Sequence, residues 1–105
     1  MSYKKDRFNE VIRDHAARFF SLESNRTSMI TITKVVSTDS GDRVTVYFTV
    51  YPENQELAAL DFARRKRSDF RNFVKENSRL STMPFFEFEI DRGEKARQKI
   101  DALPL

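Results

Sequence analysis

The sequence contains no cysteine and no tryptophan, and among its 105 residues there are only one histidine, two glycines and three prolines. The absence of cysteine excludes a disulfide framework, a thiolate metal site and a thiol nucleophile, and a single histidine excludes an imidazole zinc cluster. No apolar run approaches the about 18 residues that a membrane-spanning helix needs. The N-terminal residues also lack the apolar block of a signal peptide. We therefore expect a cytoplasmic protein without disulfides, metal or other cofactor.

The composition indicates one globular domain. A length of 105 residues and a mass of 12.4 kDa match the commonest domain size and leave no room for a second hydrophobic core. Ten phenylalanines provide the bulk from which a chain this short can build a stable interior. With 39% hydrophobic and 33% charged residues, the chain is polar without having the composition of a disordered protein. We therefore treat residues 1–105 as a single domain.

The periodicity of apolar residues predicts three helical and three extended segments. From Phe8 onwards, apolar residues at spacings of three, four, seven and eight predict a first helix. Alternating β-branched and polar residues predict strands, most clearly at 43–51, where Val46 and Phe48 face one way and Tyr47 and Tyr51 the other. The predicted elements are a helix at 8–20, strands at 29–37 and 43–51, a long helical stretch from Pro52 to about residue 79, a strand at 85–90 and a helix at 94–103.

Turn residues and apolar stripes combine these segments into one fold. The stretch 38–42 contains Gly41 and the densest turn signal in the chain, which predicts a hairpin between the first two strands. In the first strand, alternation places Ile32 and Val36 on the buried face and Val35 on the other. The stripe of the long helix changes phase between residues 66 and 69, which predicts a bend without any proline or glycine. We predict an α+β domain of order α-β-β-α(bent)-β with a short C-terminal helix, its three-stranded sheet covered on one face by helices. The place of the third strand stays open.

Positive charge is concentrated in one part of the chain. The net charge is only +3, yet residues 62–79 carry seven cationic side chains against two carboxylates, a net charge of +5. Such an excess is expected for a polyanionic partner, and a solvated helix face is the simpler alternative. If the segment is helical, spacings of three and four from Arg64 to Arg79 would place several cations on one face, where they could follow a phosphate backbone. A smaller N-terminal cluster could add contacts or only increase solubility. The candidate RNA-binding residues are Arg64, Arg65, Lys66, Arg67, Arg71, Lys75 and Arg79, with Lys4, Lys5 and Arg7.

The other chemically notable residues are better explained by packing. Most phenylalanines lie on predicted buried stripes, so only Tyr47 and Tyr51 remain as outward aromatic residues that could stack on bases. His15 lies in an apolar stripe without a second histidine or a cysteine, which favours a packed residue over a ligand or base. Glu87 and Glu89 share one face of a strand, where solvent-facing carboxylates prevent pairing with other strands. Since no nucleophile, base and orienting group can be assembled from these residues, we do not expect an enzyme.

Several weak motifs follow one another along the chain in a particular order. They are Met29-Ile-Thr-Ile-Thr-Lys-Val-Val-Ser-Thr-Asp39, Val44-Thr-Val-Tyr-Phe-Thr-Val50, Phe70-Arg71, Arg79-Leu80 and Met83-Pro84-Phe-Phe-Glu-Phe88, followed by Asp91. Their order and spacing resemble the ribosome-binding factor A family over roughly residues 28–103. The N-terminal helix is similar only in character, and no single motif is as specific as a phosphate-binding loop.

This resemblance implies a KH-like domain of the second topological type that lacks the Gly-x-x-Gly loop of ordinary KH domains. The sequence agrees, because its only glycines are Gly41 and Gly93. The family usually bends its second long helix at an Ala-x-Gly element, which Lys66-Arg67-Ser68 replaces here. The resemblance further implies binding to the small (30S) ribosomal subunit, assistance in late maturation of its 16S rRNA, importance for growth in the cold, and RNA contact by the basic segment.

Two classes of function are therefore compatible with the sequence. The leading hypothesis is a non-enzymatic, monomeric RNA-binding assembly factor, whose partners are the small ribosomal subunit and its rRNA and not a membrane. The alternative is a protein-interaction domain without direct RNA contact, in which a sheet edge or a Phe-rich surface recruits a partner and the basic helix is solvated. Salt dependence of binding would distinguish them, because phosphate contacts weaken steeply as salt increases.

Overall fold

The chain folds as four helices and a three-stranded sheet within the residues that the structure describes. This structure is a computed structural model that describes residues 3–23, 28–80 and 83–102. Every predicted segment is found, although Leu103 and part of the linker before Pro84 lie outside the described residues. None of the helices in these ranges is long and apolar enough to span a membrane. The elements are α1 Tyr3–Glu23, β1 Met29–Ser37, β2 Arg43–Tyr51, a 3₁₀ turn Glu53–Gln55, α2 Glu56–Arg65, α3 Arg67–Asn77, β3 Phe85–Ile90 and α4 Arg92–Ala102.

The sheet has the strand order β1-β2-β3, so β2 is the central strand. β1 and β2 pair antiparallel, with Met29 opposite Tyr51. β3 lies on the other side of β2 and runs parallel to it, with Arg43 opposite Phe85. Parallel pairing requires a long crossover connection, which α2 and α3 provide. The topology thereby fixes the position of the third strand, which periodicity alone left open.

The predicted hairpin turn joins β1 to β2. The N–H of Thr38 donates to the carbonyl of Arg43 at 3.0 Å, and Gly41 has a φ of 75°, a conformation that favours glycine. Asp42 Oδ1 accepts the hydroxyl groups of Ser40 at 2.7 Å and Thr38 at 2.8 Å. These two bonds hold the pKa of Asp42 below its usual value, and the bond from Ser40 has the larger effect. The turn is therefore fixed by side chains as well as by its glycine.

A bulge in β1 changes which of its residues face the core. The register shifts just before Lys34, so Thr33 is not opposite any residue of β2. An extra residue reverses the alternation that follows it. Val35 accordingly lies opposite buried Val46 and packs against the core, whereas Val36 is 49% exposed. The predicted orientation of these two valines is wrong, because simple alternation assumes an uninterrupted strand.

An aromatic cluster forms the centre of the core. Phe70 of α3 is fully buried, and its ring lies 4.9–6.1 Å, centroid to centroid, from four other phenylalanine rings. Most of these pairs have the edge-to-face geometry that aromatic rings prefer. The four partners are Phe19 and Phe20 of α1 and Phe86 and Phe88 of β3. The cluster therefore fixes α1 and α3 on the same face of the sheet, as the apolar stripes predict.

The long helical stretch consists of two helices that meet at Lys66. This residue has φ −91° and ψ 9°, a conformation open to residues other than glycine. Its N–H is shared between the carbonyls of Phe62 at 3.0 Å and Ala63 at 3.2 Å, which closes α2. Its own carbonyl accepts the N–H of Phe70 at 2.8 Å and so belongs to α3. The predicted break is confirmed, and it requires no glycine.

Asp91 joins β3, the bulge in β1 and the start of α4. This buried carboxylate accepts the N–H of Glu94 at Oδ1, at 3.0 Å, and the hydroxyl of Thr33 at Oδ2, at 2.6 Å. Both bonds favour the charged form and hold the pKa of Asp91 below its ordinary value, and the bond from Glu94 has the larger effect. One side chain thus caps α4 and fixes the residue that the bulge leaves unpaired.

We expect Asp91→Asn to lower the free energy of unfolding at neutral pH by about 1–2 kcal/mol. The neutral amide has a single acceptor oxygen, so it can cap α4 but cannot also accept the hydroxyl of Thr33 as the second carboxylate oxygen does. The folded-state pKa is depressed, so the carboxylate stabilises the fold above its unfolded-state pKa near 3.8 and loses this effect as pH falls through the lower folded-state value. Urea denaturation at about pH 7 and about pH 2 tests this prediction. A difference between variant and wild type that did not shrink in acid would contradict it.

Candidate nucleic-acid interface

The basic segment is divided between two helices and the residues that follow them. Arg64 and Arg65 end α2, Lys66 forms the junction, Arg67 begins α3, Arg71 and Lys75 follow on α3, and Arg79 lies beyond its end. The continuous face that the spacing suggested is therefore interrupted at Lys66. The cations also differ in their partners, and this difference divides those at the junction from those farther along α3 and beyond it.

Four residues around the junction, Arg64 to Arg67, have partners in the fold, and we call them the paired cations. Ion pairs between exposed side chains are weak, so the carboxylates reduce the positive potential near the junction without removing it. The ion pairs are Arg64 with Glu89 at 3.5 Å, Arg65 with Asp61 at 3.0 Å, and Lys66 with Glu23 at 3.6 Å and Asp69 at 3.7 Å. The pair with Glu23 also ties the junction to the last turn of α1.

Arg67, the fourth paired cation, is hydrogen-bonded to the edge of the sheet. Its Nε donates to the carbonyl of Phe86 at 2.7 Å, and its guanidinium lies 4.9 Å from the centroid of the Phe85 ring. Arg43 of β2 approaches the same ring at 5.4 Å. Because β3 is an edge strand, the bond from Arg67 occupies a carbonyl that could otherwise pair with another chain. Arg67 therefore helps to hold the fold, whatever else it contacts.

Three residues, Arg71, Lys75 and Arg79, are exposed and have no acidic partner among the described residues, and we call them the unpaired cations. Arg71 and Lys75 are four residues apart on α3, which places them one turn from each other and about 6 Å apart along the helix axis. Such side chains can bind an anion without first breaking an existing ion pair. They are the part of the basic segment best suited to a phosphate backbone.

The N-terminal cations meet the end of the basic segment. α1 and α3 run in opposite directions, so the first turns of α1 lie beside the residues that follow α3. Lys4 and Arg7 line one groove together with Arg79. Lys5 differs, because its Nζ lies 3.1 Å from Asp39. The fold thus brings two of the three predicted N-terminal residues to the unpaired cations and directs the third elsewhere.

The aromatic and histidine residues lie largely as predicted. Tyr51 is 76% exposed on the outer face of the sheet, and Tyr47 is half-buried beneath Lys34, whose Nζ lies 4.8 Å from the ring centroid. His15 is packed between α1 and α3, with its ring edge-on to Phe73 at 5.9 Å. Neither ring nitrogen of His15 has a hydrogen-bond partner in the described part of the chain. The histidine is therefore a packing residue, as its place in an apolar stripe predicts.

The acidic residues of β3 act as partners for cations. Glu87 lies 3.6 Å from Arg43, and Glu89 pairs with Arg64 as described above. Both carboxylates are half-buried on the outer sheet face, so they are less open to solvent than the sequence predicts. Across residues 3–23, 28–80 and 83–102, no group of three His, Asp or Glu side chains is placed to hold a metal ion.

Two residues near the junction are absent from the sequence-based candidates. Phe85 is 45% exposed and lies between the guanidinium groups of Arg43 and Arg67, at the edge of the sheet. A signal for Phe85 exists, because it precedes Phe86 in an alternating strand and must face away from the core. Arg43 offers no such signal, since its approach to Phe85 depends on the pairing of β3 with β2.

Comparison with solved structures places the fold among known proteins. The chain is similar to ribosome-binding factor A from Thermus thermophilus, with a TM-score of 0.76, 19% identity, and coverage of 84% of this chain and 96% of that one. It is also similar to a Thermotoga maritima protein described as a candidate ribosome binding factor A, with a TM-score of 0.70, 21% identity, and coverage of 85% and 88%. Both likenesses support the predicted KH-like α+β fold.

Sequence comparison gives the family. No curated protein sequence matches the chain significantly. The sequence model of the ribosome-binding factor A family matches residues 4–104 and so includes α1, which the motifs resembled only in character. This match covers nearly the whole chain and all the elements described above. The chain therefore belongs to the ribosome-binding factor A family.

Proposed function

We propose that this protein binds the small ribosomal subunit and assists the late maturation of its 16S rRNA. The family is defined by ribosome binding, and the observation that carries the proposal is the set of exposed cations without acidic partners in the described part of the chain. Cations one helical turn apart on a rigid helix suit successive phosphates of an RNA backbone. The residues concerned are Lys4, Arg7, Arg71, Lys75 and Arg79.

The protein would act by occupying a site and without chemistry. The unpaired cations would attach it to rRNA phosphates, and its folded body, which measures 48 × 32 × 17 Å, would hold or displace a neighbouring rRNA helix. Release would follow when the mature arrangement of the rRNA no longer fits this body. The same proposal predicts a cytoplasmic monomer without cofactor or membrane partner, whose loss impairs growth most in the cold.

Co-sedimentation with purified immature small subunits at low and at high salt tests this proposal. We expect binding at low salt that falls steeply as salt increases, because each phosphate contact releases counterions. Mature large subunits provide the control. Protein-directed crosslinking from residue 71 would then identify the neighbouring rRNA. Equal retention on both subunits, or no binding at low salt, would contradict the proposal.

The alternative, a protein-interaction domain, is favoured by a different surface. The outer face of the sheet exposes four large apolar side chains, Tyr51 at 76%, Met29 at 66%, Val36 at 49% and Phe85 at 45%. Exposed apolar residues on one face are typical of protein interfaces. Subunit binding that persisted unchanged at high salt would support this alternative, since burial of apolar surface is not weakened by counterions.

A further inference from the structure

A groove between the start of α1 and the residues after α3 combines an apolar floor with a cationic rim. We call it the α1–α3 groove, and its volume is about 330 Å³. This volume lies at the lower end of the about 300–1,000 Å³ range of small-ligand clefts. Phe8, Val11 and Leu80 form its floor, and Lys4, Arg7 and Arg79 form its rim together with Ser78. Neither cluster of cations reveals such a groove in the sequence, because its two walls are distant along the chain.

The rim indicates an anionic ligand. Lys4, Arg7 and Arg79 are all exposed, and no ion pair joins any of them to a described carboxylate. The nearest acidic residues along the chain, Asp6, Glu10 and Glu76, are exposed and also form no ion pair with them. The hydroxyl of Ser78 already donates its hydrogen to the carbonyl of Val74 at 2.5 Å, so the rim's contacts to a ligand come from the three cations. Three cations at one opening therefore remain available for a phosphate.

The floor indicates that the ligand also has a flat apolar part. Phe8, Val11 and Leu80 are only half-buried, so they keep apolar surface exposed inside the groove. Duplex RNA would offer phosphates to the rim but nothing to cover this surface. An unpaired nucleotide offers both, because its base can leave the stack and lie on aromatic or aliphatic side chains. The space suits one base rather than a helix.

We propose that the α1–α3 groove binds one unpaired nucleotide of an RNA, with the base on the Phe8-Val11-Leu80 floor and the phosphate at the rim. This inference rests on the proposed function, of which it specifies one contact. It favours RNA over a lipid headgroup or an acidic peptide because Arg79 lies just after the end of α3, the helix that carries Arg71 and Lys75. These two cations provide positions for the neighbouring phosphates of a continuous strand.

Fluorescence anisotropy with a short single-stranded oligoribonucleotide tests the inference. The same strand with abasic central positions and a duplex hairpin serve as comparison probes. We expect the wild type to bind the base-bearing strand about tenfold tighter than the abasic one.

Val11→Trp fills the groove and should remove the preference for the base-bearing strand without changing the salt dependence. Arg7→Gln or Arg79→Gln should reduce the salt slope by about 0.7 each. Arg13→Gln is the matched control, because it removes one exposed charge from α1 outside the groove.

A second floor variant and further measurements give outcomes that can overturn the inference. Leu80→Gln changes the floor without adding volume, so it should also remove the preference if Val11→Trp disturbs folding, which circular dichroism would detect. Equal binding of base-bearing and abasic strands by the wild type would overturn the inference. So would vesicles containing anionic lipid that compete for the groove as well as the base-bearing strand does. If the groove variants bound small subunits like the wild type, the groove assignment would fail while the proposed function stood. If the wild type bound no subunits, the proposed function would fail.

Discussion

Phe70→Ala should lower the free energy of unfolding by about 3–5 kcal/mol, the largest effect on stability that we predict for this protein. Phe70 is fully buried, and its ring contacts four phenylalanine rings from α1 and β3. Removing the ring leaves a cavity that a cluster held by three separate elements cannot close. Since a domain of this kind is stable by only about 5–15 kcal/mol, we expect a large part of its stability to be lost.

Urea denaturation followed by circular dichroism measures this effect. Leu57→Ala is the control, because Leu57 lies on α2 and is 84% exposed. We expect it to change the free energy of unfolding by less than about 0.5 kcal/mol. Similar losses for the two variants would show that Phe70 does not occupy the centre of the core.

The regular elements of this fold can be predicted from local patterns. The predicted bounds of all three strands agree with the structure, because alternating β-branched residues and their flanking turns are local features. The break at Lys66 is likewise visible as a change of phase in the apolar stripe. The break forms without the family's usual glycine, because the backbone at Lys66 has a negative φ that any residue adopts.

The features that depend on contacts distant along the chain could not be predicted. The bulge at Thr33 is invisible to alternation, because its hydroxyl is held by Asp91 from the end of β3. The parallel pairing of β3 with β2 depends on the crossover through α2 and α3. Both errors in the orientation of Val35 and Val36 follow from the one unpaired residue.

The candidate site shows the same division between local and distant information. Counting charges was sufficient to find the basic segment, but it could not separate the paired from the unpaired cations. That separation depends on Glu89 and Phe86 of β3 and on Glu23 of α1, which meet the junction only in the folded chain. The antiparallel packing of α1 on α3 likewise brings Lys4 and Arg7 to Arg79. Charge therefore identified the candidate residues, and the fold determines which of them lack an acidic partner among the described residues.

Reversing the two unpaired cations of α3 should weaken binding to immature small subunits by at least about a hundredfold at low salt. The double variant Arg71→Glu and Lys75→Glu removes two charge-assisted phosphate contacts, each of about 1.5–3 kcal/mol, and adds repulsion. Both side chains are exposed and lack acidic partners in the described ranges, so the fold should tolerate the change. Sedimentation at several salt concentrations measures both the affinity and its salt dependence.

The matched control is the double variant Arg13→Glu and Arg92→Glu, which changes the net charge equally at exposed sites on α1 and α4. If overall charge alone governed binding, the two variants would weaken it to the same extent. If α3 contacts the rRNA backbone, only the α3 variant should also lose salt dependence, with a slope smaller by about 2. The effect should therefore shrink as salt increases, because the wild type then loses the contacts that the variant never makes. Equal affinities of the α3 variant and the wild type at low salt would exclude this helix from the RNA contact.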